Sequence, residues 1–440
     1  MDVQFVAYWL NGDGTQDLLH PDLHLSGAKV TRDLGVGRLT GRVPPEVAGM
    51  RNHQGRLVLQ EWATAIYVLV DGLVFDAFIV ETVTDRDGHV ELDCVGWLGY
   101  LRGMPFTGNV LRNNLSVPSA VQTLINNVGS SWSGSDIGFT YGFYGSFPML
   151  GVPDPDDLVV IPALPGKPAP FTEKQPVAPK RGASNYKTKY DQYQSNLAAW
   201  RKRRDAAQAR DRAYKDKVRE RDSAIKDRKR ALESAAYKIN WWSTHDVLRE
   251  FQSILGDVGG QAKMVHSLSE SGAGTHRLEV FGHARRRLHS VEFVDGENVM
   301  VRPRLTRGGI DQAKTVQVIG AGEGSKMLRH SAWFAAGGGN GLQRVVTHVD
   351  KSVRDKGRAS TIAKDMVNRR RRVWEYDTLT VIDSGLAPVR VFDVGDEVMY
   401  RTLDRRGLEV EAWVLVSEVE LDVEQGVMNV GVVPAGEVQT

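Results

Sequence analysis

The stretch from residue 184 to residue 255 constrains the fold of this chain more than any other, because it contains neither proline nor glycine. Residues 148–179, which precede it, contain 9 of the 17 prolines and so can form neither a helix nor an interior strand. We predict an extended, polyproline-like arm followed by a long helix. About 50 helical residues rise roughly 75 Å, and about 30 extended residues at ~3.1 Å each reach roughly 90 Å. These similar lengths predict a finger, residues 152–238, in which the arm runs outward and the helix returns.

Apolar residues recur along this helix with a spacing that alternates between four and three residues. Of the fifteen positions counted in this way from Tyr186 to Ala235, eleven are apolar or alanine. Such a seven-residue repeat is typical of a coiled-coil seam, which the four charged interruptions would weaken or fix in register. These interruptions are Arg204, Asp211, Arg221 and Arg228. The candidate oligomer seam consists of Tyr186, Tyr190, Tyr193, Leu197, Trp200, Tyr214, Val218, Ile225 and Leu232.

Charge is distributed unevenly along the chain. Residues 184–238 contain 17 Lys and Arg against 8 Asp and Glu, a net charge of +9. The formal net charge of the whole chain is +2, so the remaining residues carry a net charge of −7. One basic stretch on a mildly acidic body indicates a projecting element rather than a nucleic-acid-binding surface throughout.

Outside the finger, the sequence predicts a β-rich α+β, multidomain fold. Residues 65–70 and 73–80 flank Asp71-Gly72, which is a strong signal for a two-residue hairpin turn. A second such turn follows at Asp87-Gly88. After it, Val90, Leu92 and Cys94 alternate with acidic residues, so one face of that strand is apolar. We therefore predict a first small antiparallel β-barrel over residues 1–104.

The next region changes to a helical period. Ser116 is a candidate N-cap with Pro118 in the first turn, and one helical face carries Val121, Leu124, Ile125 and Val128. Residues 291–294 and 299–301 flank Asp295-Gly296, which predicts another hairpin. We assign residues 105–151 and 239–300 to an α/β middle domain into which the finger is inserted.

The C-terminal region returns to short strands. Helical spacing over residues 350–372 precedes predicted strands at 379–382, 389–391, 398–400, 408–416 and 427–433. These strands predict a second β-barrel, residues 301–440, interrupted by a helical segment near residues 350–375. Two barrel-like regions suggest a weak internal duplication.

Composition excludes several classes of protein. The 440 residues exceed the usual size of one domain, and 41% hydrophobic with 25% charged residues is a globular composition. A single cysteine, Cys94, excludes an internal disulfide and any multi-cysteine metal site. The segment MDVQFVAYWL lacks the basic flank of a signal peptide, and no transmembrane span is expected.

Four patterns could indicate catalysis or ligand binding, and none fits a known motif. The glycines of residues 316–326 are spaced for neither a Walker loop nor a dinucleotide fold, which favours a plain connection after a strand. The carboxylates of the PDPDD loop lack the order of an EF-hand, and Cys94 lies in the middle of a strand. Four histidines close in sequence match no metal-binding spacing: His266, His276, His283 and His289. We expect no catalytic residue, no cofactor and no metal, and hence no enzyme.

Three basic clusters could contact phosphates: Arg285–287, Arg369–372 and, on the helix, residues 201–204. The alternative is a solvated helix face or ion pairs between subunits. Aromatic stacking residues or a recognisable nucleic-acid-binding module are not evident beside them. The hypothesis of a coiled-coil DNA-associated protein therefore depends on the basic helix alone.

Several strings resemble the tail-tip hub proteins of long-tailed actinobacteriophages, often called minor tail proteins. They are GRLVLQEWATAIYVLVDGLVFDAFIVETV, CVGWLGYL, INWWSTHDVLREFQSIL, VIGAGEGSKMLR and VFDVGDEVMYR. This family is similar to the baseplate hub of contractile tails. The resemblance implies a homotrimer whose two similar barrels per chain form a pseudo-six-fold ring.

The resemblance also implies partners and a location. The ring would adapt the six-fold tail tube and distal tail protein to a three-fold tip with fibre or receptor-binding proteins, next to the tape measure protein. It would form a channel for DNA ejection at the tail tip of the virion, after synthesis in the bacterial cytoplasm. The finger departs from the family: it could form a trimeric coiled coil or brace a neighbouring tail protein. The alternative function is a tail-tip cell-wall-degrading enzyme.

Overall fold

The computed structural model describes residues 1–86, 88–153, 158–182, 185–269, 273–282, 284–301, 305–307, 313–333, 344–350, 353, 356–370, 374–376, 378–403, 407 and 409–435. The chain divides into two compact units. The first comprises Met1–Val152 and Tyr237–Thr440, and the second comprises Pro153–Ala236. The finer domain boundaries given above stay predictions.

Strands dominate the first unit. In chain order they are β1 (Val3–Leu10), β2 (Gln16–His20), β3 (Ser26–Asp33), β4 (Arg38–Val43), β5 (Thr64–Val70), β6 (Leu73–Arg86), β7 (His89–Gly96), β8 (Asn109–Arg112), β9 (Phe139–Tyr144), β10 (Tyr237–Asn240), β11 (Gln261–Leu268), β12 (Gly274–Phe281), β13 (Arg286–Val294), β14 (Val299–Val301), β15 (Leu305–Arg307), β16 (Thr315–Ile319), β17 (Arg329–Trp333), β18 (Val345–Val349), β19 (Trp374–Tyr376), β20 (Leu379–Ile382), β21 (Asp396–Leu403), β22 (Glu409–Asp422) and β23 (Val427–Pro434). The α-helices of the chain are α1 (Pro45–Ala48), α2 (Val117–Ser131), α3 (Tyr186–Ala235), α4 (Val247–Val258) and α5 (Lys356–Arg370). The β-rich fold with few helices is thus confirmed.

The predicted hairpin between β5 and β6 is present. Val70 pairs with Leu73, and the turn residues Asp71 and Gly72 have φ angles of 46° and 81°. Positive φ at both central positions defines the type I′ turn, whose twist matches that of the two strands. The alternation in β7 also holds, because Val90, Leu92 and Cys94 are all buried in one core.

One strand, β22, connects the N-terminal and C-terminal sets of strands. Along one edge, its residues 409–415 pair with β21, whereas its residues 418–422 pair with β3. Thirteen of the described strands therefore form one sheet, with a main order of β14-β20-β23-β22-β3-β4-β7-β6-β5-β1-β2. The other two strands of this sheet lie off that path, with β21 paired to β22 and β13 paired to β21. This order does not close on itself among the described residues, and the two predicted barrels are unconfirmed.

The hairpin predicted at Asp295-Gly296 is wrong. β13 pairs in parallel with β21 and β14 pairs with β20, so β13 and β14 meet in a single bridge between Asp295 and Val299. The buried side chain of Asn298 explains the difference. Its Oδ1 accepts from the amide of Val294 (2.7 Å) and its Nδ2 donates to the carbonyl of Glu292 (2.8 Å). The side chain thus occupies backbone groups that a β13–β14 ladder would have used.

The middle region contains the helices α2 and α4 and a small sheet. Ser116 caps α2 by accepting a hydrogen bond from the amide of Ser119 (3.3 Å), and the predicted apolar face of α2 is buried. Helix α4 begins at the N-cap Asp246 and ends at Gly259, whose φ of 63° favours glycine. Both helices pack against the sheet β11-β12-β9, in which β12 and β9 are parallel.

A smaller sheet, β17-β16-β18, packs against α5 and has its own apolar core. Helix α5 lies inside the predicted helical segment. Of the C-terminal strands, residues 379–382 are predicted to the residue, and those predicted over 398–400 and 427–433 fall within β21 and β23. The strand predicted over 408–416 overlaps β22 from its first residue, 409, and residue 408 lies outside the described residues. Residues 389–391 are a turn instead. Within the described residues, no helix combines the length and apolar character needed to cross a membrane.

The second unit contains the long helix α3, which has 50 residues. Residues 158–180 form neither helix nor strand, as their prolines predict. They contact the first third of α3: the ring of Phe171 lies edge-on to that of Trp200, with centroids 5.9 Å apart. The indole of Trp200 donates to the carbonyl of Glu173 (3.0 Å), whose carboxylate pairs with Arg203 (2.9 Å). The arm is therefore anchored to the helix within this unit.

Candidate functional site

Four charged side chains meet in the interior of the first unit, and we call them the buried charge cluster. Arg32 of β3 pairs with Asp76 of β6 (Nε–Oδ2, 3.1 Å) and with Asp393 of the turn before β21 (Nη2–Oδ2, 2.8 Å). Lys263 of β11 contacts Asp393 as well. The cluster holds two cations and two anions, so its charges balance. It ties together the N-terminal strands, the middle region and the C-terminal strands.

Burial shifts the pKa of three groups of the cluster, Lys263, Asp76 and Arg32. The side chain of Lys263 is 2% exposed, and burial lowers its pKa well below the ordinary value, with the charges of Arg32 and Arg285 acting in the same direction. Burial also raises the pKa of Asp76, which the charge of Arg32 opposes. Each charge is therefore stabilised by its partners rather than by water, and the loss of one partner would leave another charge uncompensated.

A pair of histidines extends the cluster. His266 of β11 and His276 of β12 are register partners, and their Nδ1 atoms lie 2.8 Å apart. The amide nitrogen of Gln16 lies 2.7 Å from His276 Nε2, and Tyr67 donates to the amide oxygen of Gln16 (2.7 Å). His266 Nε2 lies 3.3 Å from Asp76 Oδ1, although the two are not aligned for a hydrogen bond.

These contacts assign the tautomers of both histidines. Because an amide nitrogen can only donate, His276 Nε2 must accept from Gln16, and its proton lies on Nδ1. His276 then donates to His266 Nδ1, which places the proton of His266 on Nε2, facing Asp76. Burial lowers the pKa of His266 to about 3 and that of His276 to about 2. Both rings are therefore neutral, and Trp97 stacks on His276 at a centroid distance of 3.7 Å.

Three of the four histidines noted in the sequence, His266, His276 and His289, lie in the described residues and do not form a metal site there. His289 instead packs edge-on against Trp413 at 5.0 Å, and His283 lies outside the described residues. No group of three or more His, Cys, Asp or Glu suited to a metal ion occurs in the described ranges. Sequence reasoning missed the pairing of His266 and His276, for which the alternation along β11 was the available signal.

The run Arg285–287 is held by acidic side chains of the same chain. Arg285 pairs with Glu279 (Nε–Oε2, 3.0 Å), and Arg286 forms a bidentate pair with the fully buried Asp396 (both 2.9 Å). Arg287 pairs with Glu397 (2.6 Å) and lies over the ring of Trp413. All three guanidinium groups therefore form ion pairs within the chain. This differs from the two roles considered above, phosphate contacts and ion pairs between subunits.

The second basic cluster, Arg369–372, has no described side chains: residues 371 and 372 lie outside the described residues, as does the PDPDD loop apart from its first proline. The glycine-rich string forms the connection between β16 and β17. The amide of Gly320 donates to Leu328 and that of Ala321 to Val353, which leaves these donors engaged within the fold. Cys94 is buried in the large core, and burial raises the pKa of its thiol.

The candidate oligomer seam is arranged along α3 as follows. Leu197 is buried, whereas Tyr190 and Ile225 are 40% and 42% exposed. The remaining members are half-buried: Tyr186, Tyr193, Trp200, Tyr214, Val218 and Leu232. Trp200 contacts the arm, so part of the seam already packs within the chain. Of the basic residues 201–204, Arg203 pairs with Glu173 and Arg204 with Asp205.

The chain is similar to solved structures of tail proteins over nearly its whole length. The 43 kDa tail protein of prophage MuSo2 from Shewanella oneidensis matches at a TM-score of 0.53 and 11% identity, covering 98% of each chain. A tail protein from Neisseria meningitidis MC58 matches at a TM-score of 0.51 and 10% identity, covering 99% of this chain and 97% of the other. The chain has the fold of these tail proteins.

No protein-family model matches the chain, and no curated protein matches its sequence. At identities near 10% the likeness establishes the fold alone. That fold includes the strands joined by the buried charge cluster, because the aligned region covers almost every residue of the chain.

Proposed function

We propose that this chain is a structural protein of a phage tail: a homotrimeric hub at the tail tip. The observation that carries the proposal is the likeness to prophage tail proteins over 98% of both chains, which leaves little of either fold unaccounted for. The resemblance of the sequence strings to tail-tip hub proteins points in the same direction. The proposed role is mechanical and not enzymatic.

The internal construction of the first unit suits such a role. Strand β22 makes the N-terminal and C-terminal strands one sheet, and the buried charge cluster connects them to the middle region. Ion pairs buried between segments favour one relative arrangement, because any displacement would strand a charge in the interior. A hub that transmits force between the tail tube and the tip requires segments fixed in this way.

The proposed trimer would present two sets of strands per chain, six in all, towards a six-fold tail tube and distal tail protein. On its other side it would meet the tape measure protein and a three-fold tip of fibre or receptor-binding proteins. Genomic DNA would pass through the ring without specific binding. The net charge of −7 outside residues 184–238 suits such a channel, because an acidic wall does not trap phosphates.

Two measurements test the proposal. Light scattering with negative-stain electron microscopy of the purified chain should give three times the 48.7 kDa chain mass and a three-fold ring with a central hole. Immunogold labelling of virions should place the chain at the tail tip. Label on the capsid would contradict the proposed hub. A chain that is monomeric in extracted tails would also contradict it. A lumen dominated by basic residues would contradict the channel.

A further inference from the structure

A cleft of about 300 Å³ lies in the first unit between the helical turn after β7, the C-terminal half of α2 and the start of β9. This volume is at the lower end of the range of small-molecule sites. Its floor is formed by the buried apolar side chains of Leu101, Ile125, Val128 and Ile137. None of the residues that line the cleft belongs to the buried charge cluster.

Aromatic rings form the walls of this cleft. Tyr100, Phe139 and Tyr141 line it, and each of these residues is half-buried. Trp62 lies next to Tyr100 with ring centroids 6.4 Å apart, and it is 46% exposed. The backbone of Trp62 has a φ of 57°, which is rare for a bulky residue and costs free energy. Trp62 does not itself line the cleft, but it holds a large, exposed ring beside the lining residue Tyr100.

Polar groups at the rim complete the cleft. Tyr141 donates its hydroxyl proton to Asn126 Oδ1 (2.6 Å), which fixes the orientation of that amide and leaves its nitrogen as a donor at the rim. Asp136 accepts from the amide of Gly138 through Oδ1 (2.9 Å), which leaves Oδ2 as an acceptor. The charge of Asp136 adds to burial in raising the pKa of Tyr141 to about 12. The hydroxyl of Tyr141 therefore stays protonated.

The described lining includes a carboxylate but no lysine, arginine or histidine. Such a cleft disfavours anions and suits a neutral ligand that has apolar faces and many hydroxyl groups. A pyranose ring has this chemistry, because its C–H faces pack on aromatic rings and its hydroxyls bond to amide and carboxylate groups. We infer that the cleft binds a neutral saccharide, with the ring against Tyr141 and its hydroxyls on Asn126 and Asp136. This inference does not depend on the proposed tail role.

The test is a titration of the full chain with three neutral trisaccharides, maltotriose, cellotriose and chitotriose, by calorimetry and saturation-transfer NMR. At least one should bind, and Tyr141→Ala should weaken that binding about tenfold, since ring packing is lost. Tyr141→Phe keeps the ring and should have a smaller effect. Asn126→Ala, at an exposed position, should also weaken binding without a change in the melting temperature. Trigalacturonic acid should bind more weakly than the neutral sugars.

A control is available in Trp241→Ala, because Trp241 is an exposed aromatic residue, 57% exposed, that does not line the cleft. Its affinity for the bound sugar should equal that of the wild type. The inference is overturned if no trisaccharide of the panel binds at millimolar concentration. It is also overturned if Trp241→Ala weakens binding as much as Asn126→Ala, or if the acidic sugar binds as tightly as the neutral ones.

Discussion

His266 and His276 face each other across two neighbouring strands, with their Nδ1 atoms 2.8 Å apart in a fully buried environment. Their partners leave one proton on each ring, so the pair is neutral and accepts no further proton without losing a hydrogen bond. This pair lies beside the ion pairs that join three parts of the chain. Its protonation state therefore bears directly on the stability of the fold.

The histidine pair predicts a loss of stability in mild acid. Both pKa values are lowered in the folded chain, to about 3 and about 2, whereas the unfolded chain titrates near the ordinary value of 6.5. Between pH 6.5 and 3 the unfolded state binds more protons, so the free energy of unfolding falls as the pH falls. Each group contributes about 1.4 kcal/mol per pH unit well below pH 6.5, and less near pH 6.5, where the unfolded histidine is half protonated. We expect a loss of about 3 kcal/mol from the pair between pH 6.5 and 5, measured by urea unfolding.

Other groups also titrate in this pH range, so the test compares the wild type with variants. Asp257, whose pKa burial raises to about 6, acts in the opposite direction: the folded state holds its proton, and stability falls as the pH rises. The double variant His266→Gln, His276→Gln should have a smaller dependence on pH than the wild type. Asn113→Ala, which alters no titratable group, should keep the wild-type slope. Equal slopes in all three would contradict the prediction.

Breaking the buried charge cluster should cost far more than breaking a surface ion pair. Lys263→Met removes one cation and leaves Asp393 with Arg32 alone, and we expect a loss of about 3–5 kcal/mol in the free energy of unfolding. The control is Arg38→Met, which breaks the exposed pair with Asp93 and should cost at most about 1 kcal/mol. Urea unfolding of both variants at pH 7 checks the difference. Similar values for the two would show that the cluster contributes no more than surface charge.

Some of these features could be predicted from the sequence. They are the ones that depend on residues close to each other along the chain. The β5–β6 turn and the caps of α2 depend on residues within four positions of each other, so local patterns were sufficient. The pairing of β13 depends on β21, more than a hundred residues away, and the turn at Asp295-Gly296 gave a local signal that the Asn298 side chain overrides. Arg32 and Asp393 are 361 residues apart, and nothing in either neighbourhood indicates the contact.

The side chain of Asn298 should be required for the connection between β13 and β14. It is 1% exposed and makes hydrogen bonds to two backbone groups of the preceding strand. Asn298→Ala would leave a buried amide and a buried carbonyl without these partners, and we expect a loss of about 2–4 kcal/mol. Thermal unfolding measures the effect. Asn113→Ala, at a less buried position, should change the stability much less, and equal effects would contradict the proposed role of Asn298.

Whether copies of the chain associate through α3 can be tested at one residue. Ile225 belongs to the candidate oligomer seam and is 42% exposed, whereas Leu197 is buried within the chain. Ile225→Asp should therefore leave the folding of the chain intact and reduce the trimer fraction if copies meet along the seam. Leu197→Asp would disturb the fold itself and is the less informative change.

Ala209→Asp is the matched control for Ile225→Asp, because it places the same charge on an exposed part of α3 outside the seam. Light scattering over a range of protein concentrations measures the trimer fraction, and circular dichroism confirms that the helix remains. A seam between copies requires that Ile225→Asp dissociates the trimer while Ala209→Asp does not. If both variants remain trimeric, the seam serves the arm of the same chain, and the trimer forms through the first unit.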